Sequence, residues 1–176
     1  MAPAEVLALP WRLFPISVSG GELTMRGMPV VIGERANSDQ GTGHAVWDGS
    51  IVLAKFLERR GLGAGDAVLE LGAGTGLVGI CAAVLGAGRV VVTDLEYAME
   101  NMRANIARNA PLFPEGTTCE ARVLDWAAPP ADCGEGFNVV VMADVVCASP
   151  LCVCARARGG GLTPAGRARR AGQAAG

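Results

Sequence analysis

The run Glu70-Leu71-Gly72-Ala73-Gly74-Thr75-Gly76 places three glycines at alternate positions directly behind a carboxylate. With no Cβ atoms in the way, backbone of this kind can turn sharply and pass close beneath a ligand. The helix start that would follow favours an anionic or hydrogen-bond-accepting group. A dinucleotide fingerprint requires G-x-G-x-x-G, whereas here the third glycine comes one place early and Leu77 stands in its position. An acid ahead of G-x-G-x-G points instead to S-adenosylmethionine, which has no pyrophosphate. A glycine turn without any ligand is the plainer reading, and an NAD-dependent oxidoreductase survives only if the early glycine is ignored.

Three further acids fall at points where strands are expected to end. Asp94 could accept two hydrogen bonds from a ribose diol, or cap the helix that begins at Leu95. Asp125-Trp126 could read the edge and cover the face of an adenine; Trp126 could equally be a core residue. Ala143-Asp144 closes the last strand, and ligands of such sheets bind beyond the carboxyl ends of strands. Asp144 therefore faces a reaction site or caps the residues after it.

The elements that must position these residues follow from periodicity. Segments 14–18 and 22–25 flank Ser19-Gly20-Gly21, which predicts a hairpin, with 28–32 as a further short strand. A Gly/Asn/Ser/Asp-rich loop covers 33–43. Helical spacing then begins near Asp48 or Ser50, either of which could cap it. Ile51, Val52 and Phe56 are expected on one face, and Gly61 and Gly63 stop the helix. Strands are expected at 67–71, 89–93, 119–124 and 137–142, with helices at 77–85 and 95–109. The second of these helices carries Met99, Met102 and Ile106 as its apolar stripe. Runs such as Val90-Val91-Val92 and Val139-Val140-Val141 suit strands covered on both faces, as in a parallel sheet. The fold class expected is α/β, a Rossmann-like doubly wound sheet with an N-terminal β-hairpin.

Bulk properties narrow the function classes. The chain has 176 residues, enough for one domain with a real core. Residues 1–13 are expected to be flexible, 14–150 to form the domain, and 151–176 to be a disordered Ala/Gly/Arg-rich tail. Up to Pro150 there are ten basic against seventeen acidic residues, whereas the last 26 residues carry five arginines and no acid. An acidic body argues against nucleic acid as a partner. The single histidine, His44, excludes a His-based metal centre, and no metal is expected. Six cysteines without a secretory signal read as reduced thiols. No apolar run approaches the ~20 residues of a membrane span, so a cytoplasmic protein without membrane partners is expected.

Four segments together resemble one family: Val46-Trp47-Asp48-Gly49-Ser50-Ile51-Val52-Leu53, the run from Val68 to Gly79, Val92-Thr93-Asp94-Leu95, and Met142-Ala143-Asp144-Val145-Val146. They are similar to the seven-β-strand, methyltransferase-like protein-lysine methyltransferases, over residues 14–148. The resemblance implies S-adenosylmethionine as cofactor, no metal, and a monomer acting on a chaperone, an AAA ATPase or an elongation factor. It also implies that Trp47 packs by the cofactor, and that Gly72, Ala73 and Gly74 lie under its methionine portion. Asp94 would hold the ribose, Trp126 the adenine side, and Ala143 would offer a backbone contact. Asp144 matches the first residue of the family's Asp-x-x-Tyr motif beside the target lysine, although Cys147 stands where the tyrosine belongs. Family members continue with further strands and helices. This chain continues with the Arg/Ala/Gly tail instead, as an alternative splice or a shifted frame would produce, and its C-terminal part is expected to be missing. A cofactor-binding module without turnover is the competing expectation.

Overall fold

The computed structural model describes residue 14 and residues 16–36 and 41–145. The expected loose N-terminus, the Cys147 position and the tail lie outside the described residues. Strand β1 (Thr24–Met25) pairs antiparallel with β2 (Met28–Pro29). Next come helix α1 (Asp48–Arg60), β3 (Ala67–Leu71), α2 (Leu77–Val84) and β4 (Arg89–Asp94). A 3-10 turn (Glu96–Ala98) leads into α3 (Met99–Asn109), followed by β5 (Thr118–Val123) and β6 (Val139–Met142). The main sheet is parallel in the order β5-β4-β3-β6, a Rossmann-like α/β arrangement as the alternation of elements predicts. After β3 the chain steps one way to β4 and β5, then returns to the other side of β3 for β6. That reversal is the switch point at which such sheets open a crevice.

Alternation along the strands decides what each face meets. Val68, Val90, Val92 and Val141 join the core with Ile51, Ala54 and Leu57 of α1, all of α2 except Gly79, and Met99 and Met102 of α3. Leu69 and Val91 point to the opposite face and are also buried, while Val140 and Met142 there are half-exposed. Helix α2 is buried along its whole length. No helix among the described residues is long and apolar enough to cross a membrane.

The structure shifts two local expectations. The paired hairpin turns at Arg26-Gly27 rather than at Ser19-Gly20-Gly21. Both of its turn residues have positive φ, 48° and 79°, the mirror-image turn whose twist suits a two-residue hairpin. Segment 17–21 forms a tight turn of its own, and Ile32 N–H donates to the Val18 carbonyl at 3.0 Å. On α1 the inward face is Ile51, Ala54 and Leu57, while Val52 and Phe56 are 55% and 58% exposed. Val52 and Phe56 lie four residues apart on a stripe rotated by about one residue from the buried one. Phe56, with Leu53, Arg60, Asn138 and β6, lines a groove of about 460 Å³. Neither Asp48 nor Ser50 caps this helix: Trp47 holds the N-cap position, without a side-chain cap. Gly61 ends it at φ 76°, as its glycine predicts.

Candidate active site

The glycine run is the hinge between β3 and α2. Gly72, Gly74 and Gly76 all have positive φ, from 55° to 81°, the region L-residues avoid. Ala73 N–H donates to the Thr93 carbonyl at 2.9 Å, which ties the bend to the end of β4. Beyond the bend, Gly79 lets α2 press onto the sheet, since a Cβ there would collide with Val92 and approach Glu70.

Two acids hold this bend from below and from the side. Glu70 is buried; its Oε2 accepts the Gly79 N–H at 2.7 Å, in the first turn of α2. Burial pushes its carboxyl up to about 8, against the pull of the Gly79 N–H and with a push from Asp94. Asp94 accepts Gly74 N–H through Oδ2 and Leu95 N–H through Oδ1, both at 2.7 Å. Burial raises its pKa, opposed by these two N–H groups and by His44. Asp94 does not cap a helix: Leu95 holds the N-cap position of the 3-10 turn without a side-chain cap, and α3 starts only at Met99. Its carboxylate touches the backbone after it and also faces the glycine bend. A carboxylate offers about four lone-pair sites, so both oxygens keep acceptor capacity for the hydroxyls of a ribose.

The other expected site residues gather at the same end of the sheet. The ring of Trp126 stands over Gly72, its Cη2 and Cζ2 each 3.2 Å from where a Cβ would sit; Val145 Cγ1 is 2.8 Å from that point. Ala143 lies one residue past the Leu71–Met142 pair, beside Gly72. Trp47 starts α1, and its indole donates to the Thr42 carbonyl at 3.2 Å. Asp144 is exposed, at φ 54°, against the first turn of α1. Asp125 Oδ1 accepts the Ala127 N–H at 2.8 Å within a surface turn.

A sequence profile described as lysine methyltransferase matches residues 29–154. The chain belongs to this lysine methyltransferase family. It is 33% identical to EEF1A lysine methyltransferase 3 of Mus musculus over 150 residues, 84% of this chain and 63% of that protein. Protein N-lysine methyltransferase METTL21A of Danio rerio is 51% identical over 117 residues, covering 60% of this chain and 49% of the relative. Protein-lysine N-methyltransferase rrg1 of Schizosaccharomyces pombe is 37% identical over 128 residues, 72% of this chain and 40% of its own length. The chain thus spans between 40% and 63% of the length of these three relatives.

In this lysine methyltransferase family member, a strap over the glycine bend escapes notice in the sequence. Residues 41–47 cross the bend so closely that a Cβ on Gly74 would lie 2.8 Å from the Gly43 carbonyl oxygen, and one on Gly43 would lie 3.0 Å from Gly74 Cα. Tyr97 Oη accepts the Gly43 N–H at 3.2 Å, and the phenol ring meets His44 edge-on at 5.3 Å. The signals available were the Gly41-x-Gly43 spacing and the single tyrosine of the chain. The second omission is a polar stripe on α3. Asn101, Asn105 and Asn109 are buried. Asn105 accepts the Gly33 N–H at 2.8 Å and donates to the carbonyls of Gly33 and Thr75, both at 3.0 Å. Asn109 pairs in the same way with the backbone of Val31. These amides bind the N-terminal segment as a neighbouring strand would.

Proposed function

We propose that this chain is an S-adenosylmethionine-dependent methyltransferase that modifies a lysine of a protein, and that it works as a cytoplasmic monomer. One observation carries the cofactor reading: a bend with positive-φ glycines at alternate positions, bordered by a carboxylate on the neighbouring strand that keeps acceptor capacity on both oxygens. Gly72, Ala73 and Gly74 would lie under the methionine end, Asp94 would hold the ribose hydroxyls, and Trp126, Trp47 and the Ala143 backbone would enclose the rest. When bound, the cofactor supplies an already activated methyl group on a sulfonium.

What the protein then has to supply is alignment and exclusion of water. Asp144, at the mouth of the switch point, would accept N–H bonds from the substrate amine and set its direction of approach. The amine must arrive neutral, and a site that excludes water lowers the pKa of an amine. The substrate would be a protein of the elongation-factor, chaperone or AAA ATPase type that the resemblance implies.

Transfer of label from methyl-labelled cofactor to lysate proteins tests this reading. Incorporation is expected with the native chain and is expected to vanish in Asp94→Ala and Gly74→Arg; unchanged incorporation in either variant refutes the assignment. A second reading, a cofactor-binding module without turnover, draws on Cys147 at the position of the motif tyrosine. Tight calorimetric binding of S-adenosylmethionine with no transfer would select it.

A further inference from the structure

Helix α1 and the segment just after strand β6 approach one another at Gly49 and Asp144. A Cβ built on Gly49 would lie 2.7 Å from Oδ1 and 2.8 Å from Cγ of Asp144, and nearer still to Oδ2. The carboxylate thus occupies the space that a side chain at position 49 would take, and would have to swing aside for one. Two local preferences are given up at this one point. Glycine in a helix forgoes the propensity of alanine, and Asp144 holds φ 54°, which is uncommon for a residue with a Cβ. Sites that sacrifice local preference on both partners are where the placement of a side chain outweighs local stability. The first turn of α1 also presents the positive end of the helix dipole, a favourable neighbour for a carboxylate.

We infer that Gly49 is a positioning residue for Asp144, its missing side chain letting the carboxylate seat against the first turn of α1 and so fixing its direction at the switch point. The functional meaning rests on the reading of Asp144 as the group that orients the substrate amine. In that role the carboxylate must point outward from the sheet along one line, and the wall of α1 at Gly49 supplies it.

A double-mutant cycle on the full chain reads the contact without needing turnover. Gly49→Ala is expected to lower the thermal midpoint by about 3 °C or more, although alanine is the better helix former. In the Asp144→Gly background the same change is expected to raise the midpoint by about 2 °C, because the obstructing carboxylate is gone. The isosteric Asp144→Asn background should keep the loss, which separates occupied space from charge. If Gly49→Ala alone does not fold, recovery of folding in the Asp144→Gly double variant gives the same sign. The carboxyl carbon resonance of Asp144 in 13C-labelled protein should shift in Gly49→Ala. A midpoint change of the same sign in the native and Asp144→Gly backgrounds, or an Asp144 resonance identical in the native protein and Gly49→Ala, overturns the inference. A native chain that transfers no methyl group removes the role of Asp144 in turnover but leaves this cycle readable, so the two failures are distinct.

Discussion

Glu70 Oε2 and the amide of Gly79 are 2.7 Å apart in a site closed to water. The strand residue before the bend therefore grips the helix after it, and the glycine hinge is held at both ends. The grip has a pH signature. Glu70 titrates near 4.5 in an unfolded chain and near about 8 when buried. Between those values the folded protein keeps a proton that the unfolded chain has lost. Its contribution to stability is full below the lower value and is lost as pH rises toward the upper one, at up to about 1.4 kcal/mol per pH unit. Asp94, also raised by burial, adds a slope of the same sign. Glu70→Gln keeps an acceptor for Gly79 and removes the titration. Urea midpoints measured from pH 5 to pH 8 should therefore decline in the native protein and be markedly flatter in Glu70→Gln. A flat native profile would contradict the burial of an ionisable Glu70.

Asn105 is the most heavily used polar side chain of α3. Its replacement by alanine strands the Gly33 N–H and the Thr75 carbonyl in a buried place. Each buried polar group left alone costs about 1–3 kcal/mol, so a total loss of about 3 kcal/mol is expected by denaturant unfolding. Amide exchange at Gly33 should accelerate at the same time, because its acceptor is gone.

Tyr97 latches the strap through one hydrogen bond, to Gly43. Tyr97→Phe keeps the ring that packs on His44 and removes only the hydroxyl. A bond worth about 1 kcal/mol predicts cofactor binding weaker by about fivefold, read by calorimetric titration with S-adenosylmethionine. Affinity equal to that of the native chain would mean that the strap does not contribute to holding the ligand.

Val140 and Met142 expose roughly half of their surface on β6, an edge strand among the described residues. Exposed apolar edges pair with other chains. Val140→Lys should reduce concentration-dependent light scattering while shifting stability by no more than about 0.5 kcal/mol. Unchanged scattering would place the sticky surface elsewhere, with Phe56 of α1 the next substitution to make.

The order of elements was readable in the sequence because both of its signals are local. Valine runs mark strands covered on two faces, and glycines with an acid at strand ends mark where the backbone must bend and what it must border. Those cues placed β3, α2, β4 and β6 within two residues of their ends, and they singled out the bend at Gly72 to Gly76 and the acid at Asp94. What the tertiary structure decided concerns residues whose partners are distant along the chain. The inward face of α1 depended on where α2 lay, so Val52 and Phe56 turned outward although their spacing is helical. Asn105 looks like a solvent-facing amide until Gly33, 72 residues away, arrives to be bound. Gly49 looks like a weak point in a helix until Asp144 fills the space it leaves. Periodicity records which face of an element is apolar, but only the packed chain determines which neighbour that face, or a polar group on it, will meet.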